Sequence, residues 1–182
     1  MTIGRRAVLF AVSNAALASA YPGTAAADTG RRRQDLSDTQ AIIAIEQLMN
    51  EWVHQIDSDY GRSIVEADIL TLDCRCKLED QWIFGRDAIA DFYKQRFETV
   101  KAGEPVPVIR QLLSNFRIAL VAEAEADVGF NLQLFMKAGR VPFSDYCDPV
   151  EVADVRARAR RGSDGYWRIS YTDSDRISRR ER

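Results

Sequence analysis

The stretch VIRQLLSNFRIALV (108–121) predicts one long β-strand in the second half of the chain. Apolar residues alternate with polar ones, the pattern of a strand with one buried face. Asn115 interrupts this pattern and predicts a β-bulge. Residues 126–137 predict a second long strand. Residues 150–160 and 166–172 predict a further pair, joined by a hairpin around GSDG (162–165).

Three helices are predicted before these strands. The first lies in LSDTQAIIAIEQLMNEWVHQID (36–57), where Ser37 as N-cap and Gln40 three residues later form a capping-box arrangement. Its apolar residues recur at helical spacing and predict one buried stripe: Ile42, Ile45, Met49, Trp52, Val53 and Ile56. DYGRSIVEADI (59–69) predicts a short second helix. The third begins after a turn at Gly85 and ends at Gly103.

A shorter strand, LTLDCRCKL (70–78), lies between the second and third helices. Its strict alternation predicts that every second side chain shares one face: Leu70, Leu72, Cys74, Cys76 and Leu78. Helices followed by antiparallel strands in hairpin succession predict an α+β domain rather than a doubly wound parallel sheet.

The chain has 182 residues, 46% of them hydrophobic and 29% charged, which predicts one globular domain. The net charge of −2 gives no basic excess, so we expect no nucleic-acid partner. RARARR (156–161) predicts a solvated basic strand face. One histidine and a Cys-x-Cys pair do not predict a metal site, because zinc normally takes four N or S ligands. Three buried, reduced cysteines are expected, although Cys147 could pair with Cys74 or Cys76 in an exported protein.

The N-terminal stretch MTIGRRAVLFAVSNAALASAYPGTAAADTG (1–30) has a basic start, a short apolar segment and a small-residue end. This order is typical of an export signal peptide. Arg5 and Arg6 resemble a twin-arginine signal, which predicts a periplasmic protein. An ordinary export signal or a misplaced start codon are the alternatives. The apolar segment is too short for a membrane span. We therefore expect a signal over 1–27, a linker over 28–37, the domain over 38–175 and a basic tail over 176–182.

The order of elements, with GRDAI opening the third helix, LLSN in a long strand and GYWRI near the end, resembles the SnoaL-like proteins. These belong to the nuclear-transport-factor-2-like superfamily, which includes ketosteroid isomerase, scytalone dehydratase, bile-acid dehydratase and the small subunits of ring-hydroxylating dioxygenases. The resemblance covers about residues 38–175. It implies a cone-shaped, curved, antiparallel (mixed) sheet wrapped around N-terminal helices.

The resemblance also implies site residues. Enzymes of this group often place an aspartate general base at the end of the first helix, where this chain has Asp57. A tyrosine commonly lies five residues earlier, and here Trp52 stands there. The dehydratases pair the aspartate with a histidine just before LSN, a position occupied here by Gln111. Asp154 matches a further aspartate in the penultimate strand.

The residues themselves leave alternatives open. Asp57 follows the apolar stripe near a helix C-terminus, where the macrodipole and burial would raise its pKa and suit it to proton abstraction. It could equally belong to a polar turn with the residues that follow it. Gln111 could hold a substrate carbonyl or oxyanion, or be a satisfied strand residue. His54, the only histidine, could act as acid–base partner or lie at a rim.

Three aromatic residues complete the candidate site. Trp52 and Phe84 are expected in the core or in a pocket wall, and Tyr60 could supply a hydroxyl donor. Two functions are open. The first is a cofactor-free isomerase, dehydratase or cyclase acting on a small hydrophobic carbonyl compound. The second is a non-catalytic ligand-binding or assembly module resembling a dioxygenase small subunit. We also expect a homo-oligomer, because an open sheet leaves exposed edges.

The export signal generates a direct prediction. Cleavage after the small-residue end would give a mature N-terminus at or near Asp28, and N-terminal sequencing of the protein from its native host checks this. An intact Met1 or Thr2 in a soluble cytoplasmic fraction would contradict it.

Overall fold

The computed structural model describes residues 36–102, 105–138 and 148–179, all within one compact unit, Gln34–Arg182. The predicted signal peptide, most of the predicted linker, Gly103 and Cys147 lie outside the described residues. Within the described ranges, no helix is long and apolar enough to cross a membrane.

The described residues form two helices and one six-stranded sheet. In chain order the elements are α1 (Leu36–Asp59), β1 (Leu70–Leu78), β2 (Gln81–Phe84), α2 (Arg86–Ala102), β3 (Val108–Ala122), β4 (Glu125–Lys137), β5 (Glu151–Arg161) and β6 (Trp167–Arg179). The strand order is β2-β1-β6-β5-β4-β3, and only β1 and β6 pair in parallel. The prediction of an α+β domain with a mixed sheet is confirmed.

The predicted second helix is wrong, because residues 60–67 form successive turns. Tyr60 and Gly61 both adopt positive φ, 64° and 83°, which ends α1. Asp68, at a φ of 50°, reverses the backbone again before β1. Between these two points the backbone bonds are mostly three residues apart, with one four-residue bond from Ala67 to Ser63, so turns form instead of a regular helix although the residues include good helix formers.

Several boundaries also differ from the predictions. Helix α1 begins at Leu36, so Ser37 lies in its first turn instead of at the N-cap. Leu72 is 73% exposed because the β1–β6 register shifts between Leu70 and Arg75, which breaks the predicted alternation. Strand β2 was not predicted. Strand β6 extends to Arg179, so the first residues of the predicted basic tail belong to the sheet.

The predicted bulge at Asn115 is confirmed. Asn115 has a φ of 57°, and the β3–β4 register shifts between Ser114 and Arg117. A bulge adds one residue to one strand, so it changes which side chains face the helices. As a result, Leu113 before the bulge and Phe116 after it both pack against the core.

The core lies between the two helices and one face of the sheet. The predicted α1 stripe is buried at Ile45, Met49, Trp52, Val53 and Ile56. On the sheet, alternate residues of the central strands β4 and β5 complete the core: Ala126, Val128, Phe130, Val155, Ala157 and Ala159.

The opposite face of the sheet is polar, as RARARR predicted, and its charges are paired. Arg156 contacts Asp173 and Asp175 at 3.1 and 2.8 Å. Arg158 contacts Asp127 at 2.9 Å, and Arg160 contacts a carboxylate of β1. Exposed ion pairs contribute little stability, so this face mainly keeps the sheet solvated.

Gly61 generates a stability prediction. A Cβ at this position would lie 2.8 Å from the Cγ and Cδ1 atoms of Tyr93, a buried side chain of α2, and φ is positive. Gly165 also has a positive φ, 86°, but its Cβ would meet nothing closer than 3.9 Å. We expect Gly165→Ala to cost about 1–2 kcal/mol for the left-handed backbone. Gly61→Ala should cost about 1–3 kcal/mol more for overpacking. Equal losses in urea denaturation would contradict the close packing of Gly61 on Tyr93.

Candidate functional site

A cavity of about 970 Å³ opens between α1, α2 and the inner face of the sheet. Its wall is largely apolar and includes Trp52, Ile56, Phe92, Leu132, Leu134 and Met136. Polar residues also line it, among them Gln111, Thr172, Glu151 and Arg176. A cavity of this size, with apolar and polar residues in its wall, suits a small organic molecule.

Asp57 joins the end of α1 to the edge strand β3. Its Oδ2 accepts a hydrogen bond of 2.9 Å from the backbone N–H of Gln111. Arg110 adds a second link, since its Nη1 donates to the Asp57 backbone oxygen at 3.2 Å. Because β3 is the last strand of the sheet, one side of its backbone has no strand partner. On that side, the backbone N–H of Gln111 has the Asp57 carboxylate as its partner.

The second carboxylate oxygen of Asp57 is different. Oδ1 is buried and has no hydrogen-bond partner among the described residues. Burial raises the pKa of Asp57 above its ordinary value, and this effect outweighs the Gln111 N–H, Arg110 and His54, which all lower it. A carboxylate that is harder to keep charged is a stronger base than one in water.

The structure brings three of the predicted site residues together. Trp52 and Gln111 form part of the cavity wall. Asp57 is not itself part of the wall, but one hydrogen bond joins it to Gln111. His54 lies one turn before Ser58 on α1 and is exposed; its Nε2 is 3.4 Å from the Ser58 hydroxyl oxygen.

Tyr60 lies close to the cavity without lining it. Its side chain is buried, and its hydroxyl donates to the backbone oxygen of Pro107, which is a cavity residue. Its ring packs on Phe97 with the centroids 5.8 Å apart. This hydrogen bond ties the turn after α1 to the segment that leads into β3.

Phe84 and Asp154 lie outside the cavity. Phe84 is 61% exposed, with the Arg75 guanidinium 5.2 Å from its ring centroid. Asp154 is exposed and accepts a hydrogen bond from the Asn131 amide. Alternation along β5 explains its placement, because the flanking Ala153 and Val155 are buried and face the helices.

Sequence reasoning missed two polar parts of the cavity. Thr172 lies in the predicted last strand, and its only signal was a polar residue at an inward position. The second part is a set of ion pairs: Arg96 contacts Glu79 at 3.3 Å, and Arg176 contacts Glu151 at 3.3 Å. Glu79 lies in the turn between β1 and β2, and β2 was not predicted from the sequence. Over the ranges that the structure describes, no group of three His, Cys, Asp or Glu residues could hold a metal ion.

No protein-family model matches the sequence, and no curated protein matches it. Solved structures do. A candidate scytalone dehydratase from Novosphingobium aromaticivorans is 18% identical, with a TM-score of 0.57 over 78% of this chain and 87% of its own. An NTF2-like protein with a cystatin-like fold from the same species is 17% identical, with a TM-score of 0.58 over 80% and 92%.

A protein from Catenulispora acidiphila, solved in complex with S-DNPA, is 16% identical, with a TM-score of 0.60 over 76% of this chain and 94% of its own. At these identities the likeness shows the fold alone. The chain therefore has the cystatin-like, NTF2-like architecture that the SnoaL resemblance implied.

The two oxygens of Asp57 predict a pH-dependent difference between variants. Asp57→Asn keeps an acceptor for the Gln111 N–H and removes the buried charge. Because the folded pKa is raised, the wild type binds more protons folded than unfolded between the ordinary value, 3.8, and the folded pKa. Its stability therefore falls as pH rises through that window. We expect Asp57→Asn to gain stability relative to wild type across it, and to hold that gain above it.

Asp57→Ala is the matched comparison. It removes the charge and the acceptor together, so the Gln111 N–H loses its partner and stability should be about 1–3 kcal/mol below that of Asp57→Asn. Urea denaturation between about pH 3 and pH 8 measures both variants over the range in which carboxylates titrate. A wild type that gains stability relative to Asp57→Asn as pH rises would show that the Asp57 pKa is lowered by folding.

Proposed function

We propose that this protein is a cofactor-free enzyme of the dehydratase, cyclase or isomerase type, acting on a small hydrophobic molecule that carries a carbonyl group. The observation that carries the proposal is the buried, unpartnered Oδ1 of Asp57, one hydrogen bond away from a residue of the cavity wall. The fold supports it, since the same architecture occurs in a candidate scytalone dehydratase.

In this mechanism Asp57 is the general base. Oδ1 takes a proton from the carbon next to the substrate carbonyl, and the electron pair moves to the carbonyl oxygen. The side-chain amide of Gln111, in the cavity wall, donates a hydrogen bond to the oxygen as its charge develops. The protonated carboxyl then returns the proton to another carbon in an isomerisation, or to a leaving hydroxyl in a dehydration.

The Asp57–Gln111 hydrogen bond couples the two roles. It holds Oδ2 against the strand that carries Gln111, so only Oδ1 is left to react. Burial excludes water from the carboxylate and keeps its pKa raised. Gln111 exchanges no proton, so one carboxyl group has to perform every proton transfer.

A second candidate is a non-catalytic ligand-binding module. One observation favours it: Asp57 is not part of the cavity wall, and its Oδ2 already satisfies an edge-strand N–H. In that case the aspartate holds the fold together while the apolar cavity binds a ligand. An assembly role with a dioxygenase would need a reductase-linked partner, which the predicted export disfavours.

Substitutions distinguish the two candidates. If the enzyme proposal holds, Asp57→Asn should lower turnover by about 10²–10⁴-fold, because it removes the base and keeps the shape. Gln111→Ala should lower turnover by about 10²–10³-fold through loss of an oxyanion donor. Gln111→His should raise activity toward β-hydroxy ketones, since it adds an acid–base group. Asp154→Asn, the same chemical change outside the cavity, should have no effect.

The assay follows solvent deuterium exchange into a panel of hydrophobic ketones and hydroxy-ketones, after thermal-shift screening for binding. Binding without exchange or turnover at any pH between about 5 and 9, the range in which acid–base enzymes work, would establish the binding module instead. Turnover that is unaffected by Asp57→Asn would remove Asp57 from the chemistry.

A further inference from the structure

Thr172 carries a buried hydroxyl that has no oxygen or nitrogen partner among the described residues. The residue is 2% exposed and forms part of the cavity wall. It is in register with Ala157 on β5 and with Cys76 on β1, both of them buried, so its side chain faces the helices.

Within the ranges that the structure describes, the only partner within reach of this hydroxyl is a weak one. A hydrogen bond with Cys74 and, to a lesser extent, one with Thr172 lower the pKa of the Cys76 thiol, which is itself buried and 3.5 Å from the Cys74 sulfur. A buried hydroxyl with no good hydrogen bond loses up to about 1–3 kcal/mol relative to water. A thiol is a weak hydrogen-bonding group. Valine has nearly the same shape as threonine and would fill this position without that cost.

Ser170, on the same strand, carries a buried hydroxyl that has a backbone hydrogen-bond partner. Ser170 is 9% exposed, and its Oγ donates to the backbone oxygen of Arg158 at 3.2 Å. It does not line the cavity. Ser170 and Thr172 lie two residues apart on β6. The hydroxyl away from the cavity therefore has a strong backbone acceptor, whereas the hydroxyl of the cavity residue has only a thiol beside it in the part of the chain that the structure describes.

Thr172 also lies in a different part of the cavity from Gln111. Gln111 is in register with Leu134, which is in register with Glu151 on β5. Thr172 is in register with Ala157, six positions further along the same strand.

We propose that the Thr172 hydroxyl binds a second polar substituent of the ligand, a hydroxyl or carbonyl on the part of an apolar ring system remote from the reacting carbonyl. Threonine can both donate and accept, so either substituent fits. A χ1 change of one staggered step moves the hydroxyl to the position of another Cβ substituent, so the hydroxyl can turn toward a ligand. The inference rests on the proposed function only in assuming that the cavity binds an apolar carbonyl compound.

The experiment measures equilibrium binding, so it does not depend on turnover. The probes are two matched pairs of different length: 6-acetyl-2-naphthol with 2-acetylnaphthalene, and estrone with 3-deoxyestrone. The wild type should bind the hydroxyl-bearing member of at least one pair more tightly. Thr172→Val should reduce that preference by about 2–10-fold, the worth of one hydrogen bond, and leave affinity for the other member unchanged. Thr172→Ser should retain the preference.

A stability measurement excludes a purely structural role. Thr172→Val should leave the urea midpoint unchanged or raise it, since it removes a poorly satisfied group. Ser170→Ala, the matched control, should lower the midpoint and leave the ligand preference intact. The proposal is overturned if Thr172→Val keeps the full hydroxyl preference, if the wild type shows none in either pair, or if Thr172→Val is as destabilised as Ser170→Ala. A loss of turnover in Asp57→Asn bears on the proposed function alone.

Discussion

The hydrogen bond from the Gln111 backbone to Asp57 Oδ2 connects the helical layer to the open edge of the sheet. An edge strand exposes backbone donors that another chain could pair with, and a carboxylate from α1 takes one of them. The same contact sets the end of α1 against β3, next to the cavity. It leaves one oxygen of Asp57 buried without a partner. The fold and the proposed chemistry therefore depend on the same side chain.

Charged groups on the outer face of the sheet are largely paired, since the arginines of β5 contact aspartates of the neighbouring strands. Buried polar atoms are nearly always hydrogen-bonded in folded proteins. Five buried side-chain atoms form no hydrogen bond to oxygen or nitrogen among the described residues: Asp57 Oδ1, Arg86 Nε, Arg160 Nε, Thr172 Oγ1 and Asp173 Oδ1. Of these residues, Asp173 lines the cavity, but its carboxylate is paired with Arg156. Thr172 also lies in the cavity wall and Asp57 is one hydrogen bond from it, so these two are the ones to which the proposals assign ligand contacts.

The sequence predicted the parts of the fold that periodicity controls. The α1 stripe, the long strands and the bulge at Asn115 follow from alternation and spacing, and all three are confirmed. The turns of residues 60–67 were misread because their composition suits a helix, while backbone reversals at Tyr60 and Asp68 prevent one. Leu72 was wrongly predicted to share the face of Leu70 and Cys74, because the alternation of residue types does not show where the register between two strands shifts.

Candidate site residues could be predicted only where the surrounding sequence matched a position of the family. Asp57 and Gln111 were found through the family resemblance, and their backbone contact depends on the edge position of β3. Thr172 had no such match, and a threonine in a strand is unremarkable until its hydroxyl is seen to lack an oxygen or nitrogen partner. Asp154 was placed in the site by family position, yet it lies outside the cavity because neighbouring residues of a strand face opposite sides.

The most direct test is an NMR titration that follows the Asp57 carboxyl carbon and the Gln111 amide proton together, with Asp57→Asn used for assignment. We predict that Asp57 titrates above the ordinary aspartate value of 3.8, and that the Gln111 amide shifts with the same midpoint because it donates to that carboxylate. An Asp57 pKa at or below 3.8, or a Gln111 amide that does not respond, would contradict it.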